Sequence, residues 1–455
     1  MSYFNQNTSI KRSHLLLFKH TFKLHTFKTR MVSKSCSMLI HFVLLCCLLF
    51  ISSAQTPIRP TGLILPVTTD PSTLQYTTQI QQRTPLVPVK LTVDLGGPFL
   101  WVDCDQGYTT STYRPARCNS AQCSLAKSTS CMTECYSPAK PGCTNNTCTL
   151  FPENPFTSSG TSGALGSDIV SVSSAAGASV SVSQFLFVCG STDMLDKLSS
   201  GVRGIAGLGA TKVSLAPQFF SAFSLKKKFG VCLSSTSSNG AIFFGEFDSS
   251  TAPLTYTPLL INPVSTAGIS TEGEASSDYF IGVKSININE KAIKIKASLL
   301  EINATDGYGG TKISTVQPYT VLERSIYKAV IKAFVKELNV STVASVAPFG
   351  ACFKSKDIST AYTGPLVPKI DLVMQNKDVY WRIFGGNSMI RVSKDVMCLA
   401  FVDGGKNSRT SIVIGGHQVE ENLLEFDIAA SKLGFSPLWF RKKVCADYKF
   451  AVASA

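Results

Sequence analysis

The chain has 455 residues, 44% of them hydrophobic, which is enough apolar material for more than one core, and it carries a formal net charge of +14. Its lysines and arginines are scattered, as at Lys226, Lys227 and Lys228, and are not gathered with interleaved aromatics, which argues against nucleic-acid binding. Beyond residue 54 His417 is the one remaining histidine, and there is no GxxxxGK phosphate loop, so a multi-histidine metal site is ruled out and neither a metal nor a cofactor is expected.

Residues 1–54 hold seven Lys or Arg, no acid, and an apolar run from Met38 to Phe50. The run is too short to cross a bilayer, so no membrane span is expected. With Lys34 ahead of it and Ser52-Ser53-Ala54 behind it, it reads as a secretory signal peptide ending before Gln55, and Met31 would open such a peptide by itself. Removing the seven positive charges lowers the formal charge from +14 to +7, which suits an acidic extracellular matrix or an acidic partner. The remaining residues are too many for one small core and suit two lobes, placed at 55–255 and 256–455.

The first lobe opens with an apolar strand that ends on Asp94, in VDLGGPFLWVDC (93–104). A crowd of cysteines follows: Cys104, Cys118, Cys123, Cys131, Cys135, Cys143 and Cys148. Together with Cys189, Cys232, Cys352, Cys398 and Cys445 they make twelve after residue 54, an even number compatible with six disulfides in an oxidising compartment. Zinc is the weaker reading because the spacings form no paired short knuckles, and connectivity stays open. Sequons at Asn145, Asn303 and Asn339 could carry surface glycans. Runs rich in Val, Ile, Phe and Ser (IVSVSS, SVSVSQFLFVC, GAIFFGEF, YFIGVKSININ) separated by Gly, Ser and Pro predict an all-β architecture with few short helices. The clearest helix is expected from about Val321 to Leu338, with Thr320 and Glu323 spaced as a capping box.

The halves repeat a pattern. An apolar residue, Asp or Ser, then an apolar strand (VDLGGPFLWV from Val93, ISTVQPYTVL from Ile313) is followed roughly 100 residues on by an apolar pair running into glycine (GIAGLG from Gly204, IVIGGH from Ile412). Such a glycine lets one strand pass close behind the loop that carries Asp94 or Ser314. His417, just after Gly415-Gly416, reads as a structural loop histidine.

These residues resemble the pepsin-like aspartic peptidase family, the closing stretch IVIGGHQVEENLLEFDIAASKLGFS (412–436) almost throughout. The resemblance runs from about Leu74 to Phe435 and implies a disulfide-rich, bilobal pepsin-like fold. LQYTTQI, RTPLVPVKLTVDLGGPFLWVDCDQGYTTSTYRP, PVSTAGISTEGEASSDYFIGVKSI and GGTKISTVQPYTVLE are closest to a plant branch without protease activity. That branch comprises the extracellular dermal glycoprotein, basic 7S globulin, nectarin IV and xylanase-inhibitor group, and the chain is most similar to the dermal-glycoprotein type, which inhibits microbial xyloglucan-specific endoglucanases. An active relative shares one proton between two aspartates about 3 Å apart. Here Asp-Thr-Gly becomes Asp94-Leu95-Gly96, and Ser314-Thr315-Val316 stands where the second aspartate would be. The flap tyrosine is also missing, with Phe156 near its place. The resemblance thus implies no catalytic residues, Asp94 and Ser314 being vestigial.

The implied partner is a secreted microbial endoglucanase, met in the plant cell wall. Retaining glycosidases hold two carboxylates about 5 to 5.5 Å apart, a target for an inserted guanidinium. Arg409, in the polar loop DGGKNSRTS (403–411), is the candidate, assisted by Lys406. A basic 7S-like storage protein that binds a small cysteine-rich peptide is the alternative, and an active acid peptidase the third reading.

Overall fold

The computed structural model describes residues 59–447 apart from 237–238, 248–251, 271–272 and 439–442. The expected signal peptide and the Met31 start therefore lie outside the described residues.

Alternating β-branched and aromatic residues build a mostly β, bilobal pepsin-like molecule. Strand β1 (Val87–Asp94) buries Val89, Leu91 and Val93, and runs parallel to β4 (Gly204–Gly207) with Asp94 opposite Gly207. In turn β4 pairs antiparallel with β2 (Leu100–Asp103), which is flanked in parallel by β3 (Ser179–Gly190). The second half repeats this arrangement. There β5 (Thr311–Ile313) runs parallel to β8 (Ile412–Ile414), and β8 pairs antiparallel with β6 (Thr320–Leu322), flanked in parallel by β7 (Phe401–Asp403). In both halves the strand after the loop begins six residues beyond the loop's leading side chain, Asp94 or Ser314. The repeat read from sequence is thus a repeat of connectivity.

A six-stranded antiparallel sheet carries strands from both halves, in the order 62–69, 240–245, 228–232, 422–427, 432–437, 255–260. Its core side is aromatic: Phe229 stacks on Phe426 at 4.7 Å between ring centres, and Phe219 packs edge-on against Phe244 at 5.0 Å.

The helix α1 (Arg324–Leu338) starts later than expected. Residues 320–322 are strand, held on both edges by β7 and β8, and this tertiary pairing overrides the helical apolar spacing. Glu323 is therefore the N-cap and not the third residue of a capping box, and its carboxylate accepts from the Ser325 and Ile326 N–H groups at 2.8 and 3.3 Å. Ile326, Val330 and Phe334 line the buried face, as their spacing predicts.

The twelve cysteines pair as 104–189, 118–131, 123–148, 135–143, 232–445 and 352–398. Three of these pairs staple the segment 118–148, and 232–445 ties the central sheet to the C-terminal segment.

Candidate functional site

Both loops hang on a close backbone approach. A Cβ on Gly207 would collide with the carbonyl oxygens of Phe99 and Gly97, and one on Gly415 would collide with the backbone of Tyr319. Asp94 and Ser314 are thereby carried to the floor of one cleft of about 1370 Å³, whose lining also includes Phe99, Trp101, Phe151 and Arg409.

The Asp94 carboxylate is half-buried and accepts from the Gly96 N–H at 2.9 Å. Burial pushes its carboxyl up to about 6, the negative charge of Asp278 adds to this, and the Gly96 and Gly97 N–H groups and Lys312 oppose it. In the second loop the Ser314 hydroxyl accepts from the Val316 and Gln317 N–H groups at 3.1 and 3.3 Å, the work a carboxylate oxygen performs in the first. One side chain joins the loops: the Thr315 hydroxyl donates to the Val93 carbonyl at 2.8 Å and accepts from the Leu95 N–H at 3.0 Å. Leu95, in the matching place, is buried and has no hydroxyl to return the bond.

The sequence reading missed what lies across this floor. Lys312, two residues before Ser314 and so on the same face of β5, pairs with Asp278 at 2.8 Å. Asp278 crowds Gly96 closely enough to leave no room for a Cβ there, and Ser277 Oγ donates to the Gly96 carbonyl at 2.6 Å. These residues end a strap, described over 262–270 and 273–278, that crosses the cleft. From the opposite wall Glu153 accepts the Gly268 N–H at 3.1 Å and also that of Ile269, while Trp101 Nε1 donates to the Glu153 carbonyl at 3.1 Å. Glu153 begins the short hairpin pairing 153–154 with 159–160, in whose turn Phe156 lies half-buried. The period-two alternation of β5 was a signal that could have found Lys312; nothing local marks Asp278 or Glu153.

Arg409 lines this cleft but is not a free tip. Its Nη2 donates to the Ser265 carbonyl of the strap at 2.6 Å, and its guanidinium lies 5.5 Å from the centre of the Tyr308 ring. Lys406 is exposed on the same loop. The structure adds Arg324, whose side chain is 41% exposed, pairs with Asp403 at 3.1 Å and follows a backbone N–H that donates to the Gly405 carbonyl. His417 contacts Glu420 through Nδ1 at 3.3 Å and the Met389 carbonyl through Nε2 at 3.1 Å. Asn145, Asn303 and Asn339 are exposed. Among the described residues no group of three or more His, Cys, Asp or Glu side chains could hold a metal, and no helix is long and apolar enough to cross a membrane.

Comparison with known proteins agrees with this fold. The xylanase inhibitor N-terminal family model matches residues 76–246 and the xylanase inhibitor C-terminal model residues 278–437. A Nicotiana benthamiana protein named probable aspartic proteinase GIP2 is 58% identical over 439 residues, covering 92% of this chain and 99% of that one. Gamma conglutin 1 of Prunus dulcis is 42% identical over 419 residues, covering 89% and 93% of the two chains. Among solved structures, edgp superposes with a TM-score of 0.84 at 53% identity, covering 88% of this chain and all of that one. Soybean basic 7S globulin follows with a TM-score of 0.74 at 37% identity, covering 85% and 98%. The chain therefore belongs to the xylanase-inhibitor family, a plant branch of the pepsin-like fold.

Proposed function

We propose that this is a secreted, extracellular protein without peptidase activity that binds a microbial endoglucanase acting on xyloglucan, or a xylanase, and blocks its active-site cleft. The observation that carries the reading is Arg409: a guanidinium fixed at the cleft rim by the Ser265 carbonyl and the Tyr308 ring, beside the exposed Lys406 and Arg324. A cation held in one geometry loses little freedom on meeting two carboxylates, and bidentate pairing adds specificity. Family membership supports the partner class, and Ser314 supports inactivity, because Asp94 by itself has no second carboxylate on a matching loop with which to share a proton.

The test is inhibition of purified xyloglucanases and xylanases, with acid proteolysis followed in the same samples. Arg409→Ala should weaken inhibition by about 10- to 100-fold. Because Arg409 also braces the strap, Lys406→Ala and Arg324→Ala serve as variants that leave the Ser265 contact in place and should each lose a few-fold. Unchanged inhibition in all three would sink the loop assignment. A second reading, storage or capture of a small cysteine-rich peptide, is favoured by the cleft of about 1370 Å³ and by relatives named conglutin and globulin. Peptide binding without glycanase inhibition would favour it, and casein hydrolysis near pH 3 to 4 would revive a peptidase.

A further inference from the structure

We propose that an N-linked glycan on Asn303 stands at the edge of the Arg409 surface and screens it, so that glycan occupancy sets how readily a partner docks; the partner itself rests on the reading above. Asn303-Ala304-Thr305 is an exposed sequon. The Asn303 Oδ1 accepts from the Thr305 N–H at 3.0 Å, and among the described residues Nδ2, the atom that carries a glycan, has no protein partner. Occupancy requires that Nδ2 displace the pyrophosphate of a lipid-linked oligosaccharide: the N–C1 bond forms, the C1–O bond to phosphate breaks, and the amide proton is lost to base.

The turn that follows ties this residue to the inhibitory loop. Asn303 N–H donates to the Tyr308 carbonyl and Gly307 N–H to the Asn303 carbonyl, each at 2.8 Å, while Ile302 bridges Gly309. Gly309 N–H in turn donates to the Arg409 carbonyl at 2.8 Å. Two backbone pairings of about 5 Å each put Ile302, the neighbour of Asn303, on the order of 10 Å from the Arg409 backbone. Tyr308, 44% exposed, lies between them with its ring facing the guanidinium. The other two sequons sit elsewhere: Asn145 accepts from the Cys135 N–H in the cysteine-stapled segment, and Asn339 caps the C-terminus of α1. A bulky, hydrated glycan on Asn303 thus covers one approach to Tyr308 and Arg409, and slows association more than it alters dissociation.

The test compares the full chain secreted from a eukaryotic host with Thr305→Ala, which removes the sequon, and Thr305→Ser, which keeps it. Mass spectrometry reads occupancy at Asn303, hydroxyl-radical labelling reads exposure of Tyr308 against Tyr380 as control, and association is followed with a microbial xyloglucanase. Thr305→Ala should label Tyr308 several-fold faster and associate several-fold faster, with Tyr380 unchanged, and Thr305→Ser should behave as the parent. An unoccupied Asn303, or equal Tyr308 labelling with and without the glycan, overturns the inference. The expected labelling difference together with no binding to any endoglucanase would uphold the screening and sink the inhibitor reading.

Discussion

At Asp94 the first cleft loop begins with a carboxylate that accepts from the Gly96 N–H, whereas at Ser314 the second begins with a hydroxyl that accepts from the Val316 and Gln317 N–H groups. The backbone frames match strand for strand, yet the side chains perform different chemistry. Holding each loop requires an acceptor of the right reach, which a hydroxyl provides as well as an acid. Sharing a proton requires an acid in both loops, which a hydroxyl cannot replace. The fold can therefore hold both loops without a carboxylate in each. Between the loops the cross-bonding has become one-sided, with Thr315 making both bonds and Leu95 contributing burial instead.

If the frames are equivalent, Gly207→Ala and Gly415→Ala should destabilise the protein most and about equally, by roughly 3 kcal/mol each, because either Cβ meets backbone that cannot turn away. Denaturant midpoints would test this, and a large effect at one position alone would break the equivalence. Thr315→Val comes next. It strands the buried Val93 carbonyl and Leu95 N–H and should cost about 2 to 3 kcal/mol, more than removal of any other hydroxyl on the cleft floor.

Asp94→Asn sharpens the comparison by pH. The Asp94 carboxyl is raised from 3.8 to about 6, so the fold favours its neutral form; its contribution is fully present below pH 3.8 and is lost as pH rises through about 6. Asparagine keeps the acceptor for Gly96 and removes the charge. The variant should therefore be more stable than the parent by about 2 kcal/mol at pH 7, after screening by cleft water, with no advantage at pH 3.5. An advantage that did not change with pH would mean that the charge beside Asp278 is not what strains the site. Ser314→Ala should have the smallest effect, about 1 kcal/mol, since two loop N–H groups lose an acceptor close to cleft water.

Local pattern was readable wherever one side chain answers to its near neighbours. The β-rich runs, the apolar face of α1 and the glycine after each apolar pair follow from alternation, helical period and steric size, and the even cysteine count was compatible with six bridges. Loop residues Asp94 and Ser314 were legible for the same reason: each sits at a set place in a repeated connection. Tertiary structure decided the rest. The pairing of the cysteines, the Lys312–Asp278 pair, the Glu153 latch and the tether of Arg409 to Ser265 join residues 34 to 213 positions apart, apart from the shorter cysteine loops. No period links such residues; they meet because the two frames and the strap bring their backbones together. That is also why residue 320 begins a strand and not a helix, where pairing on two edges outweighs a helical apolar stripe.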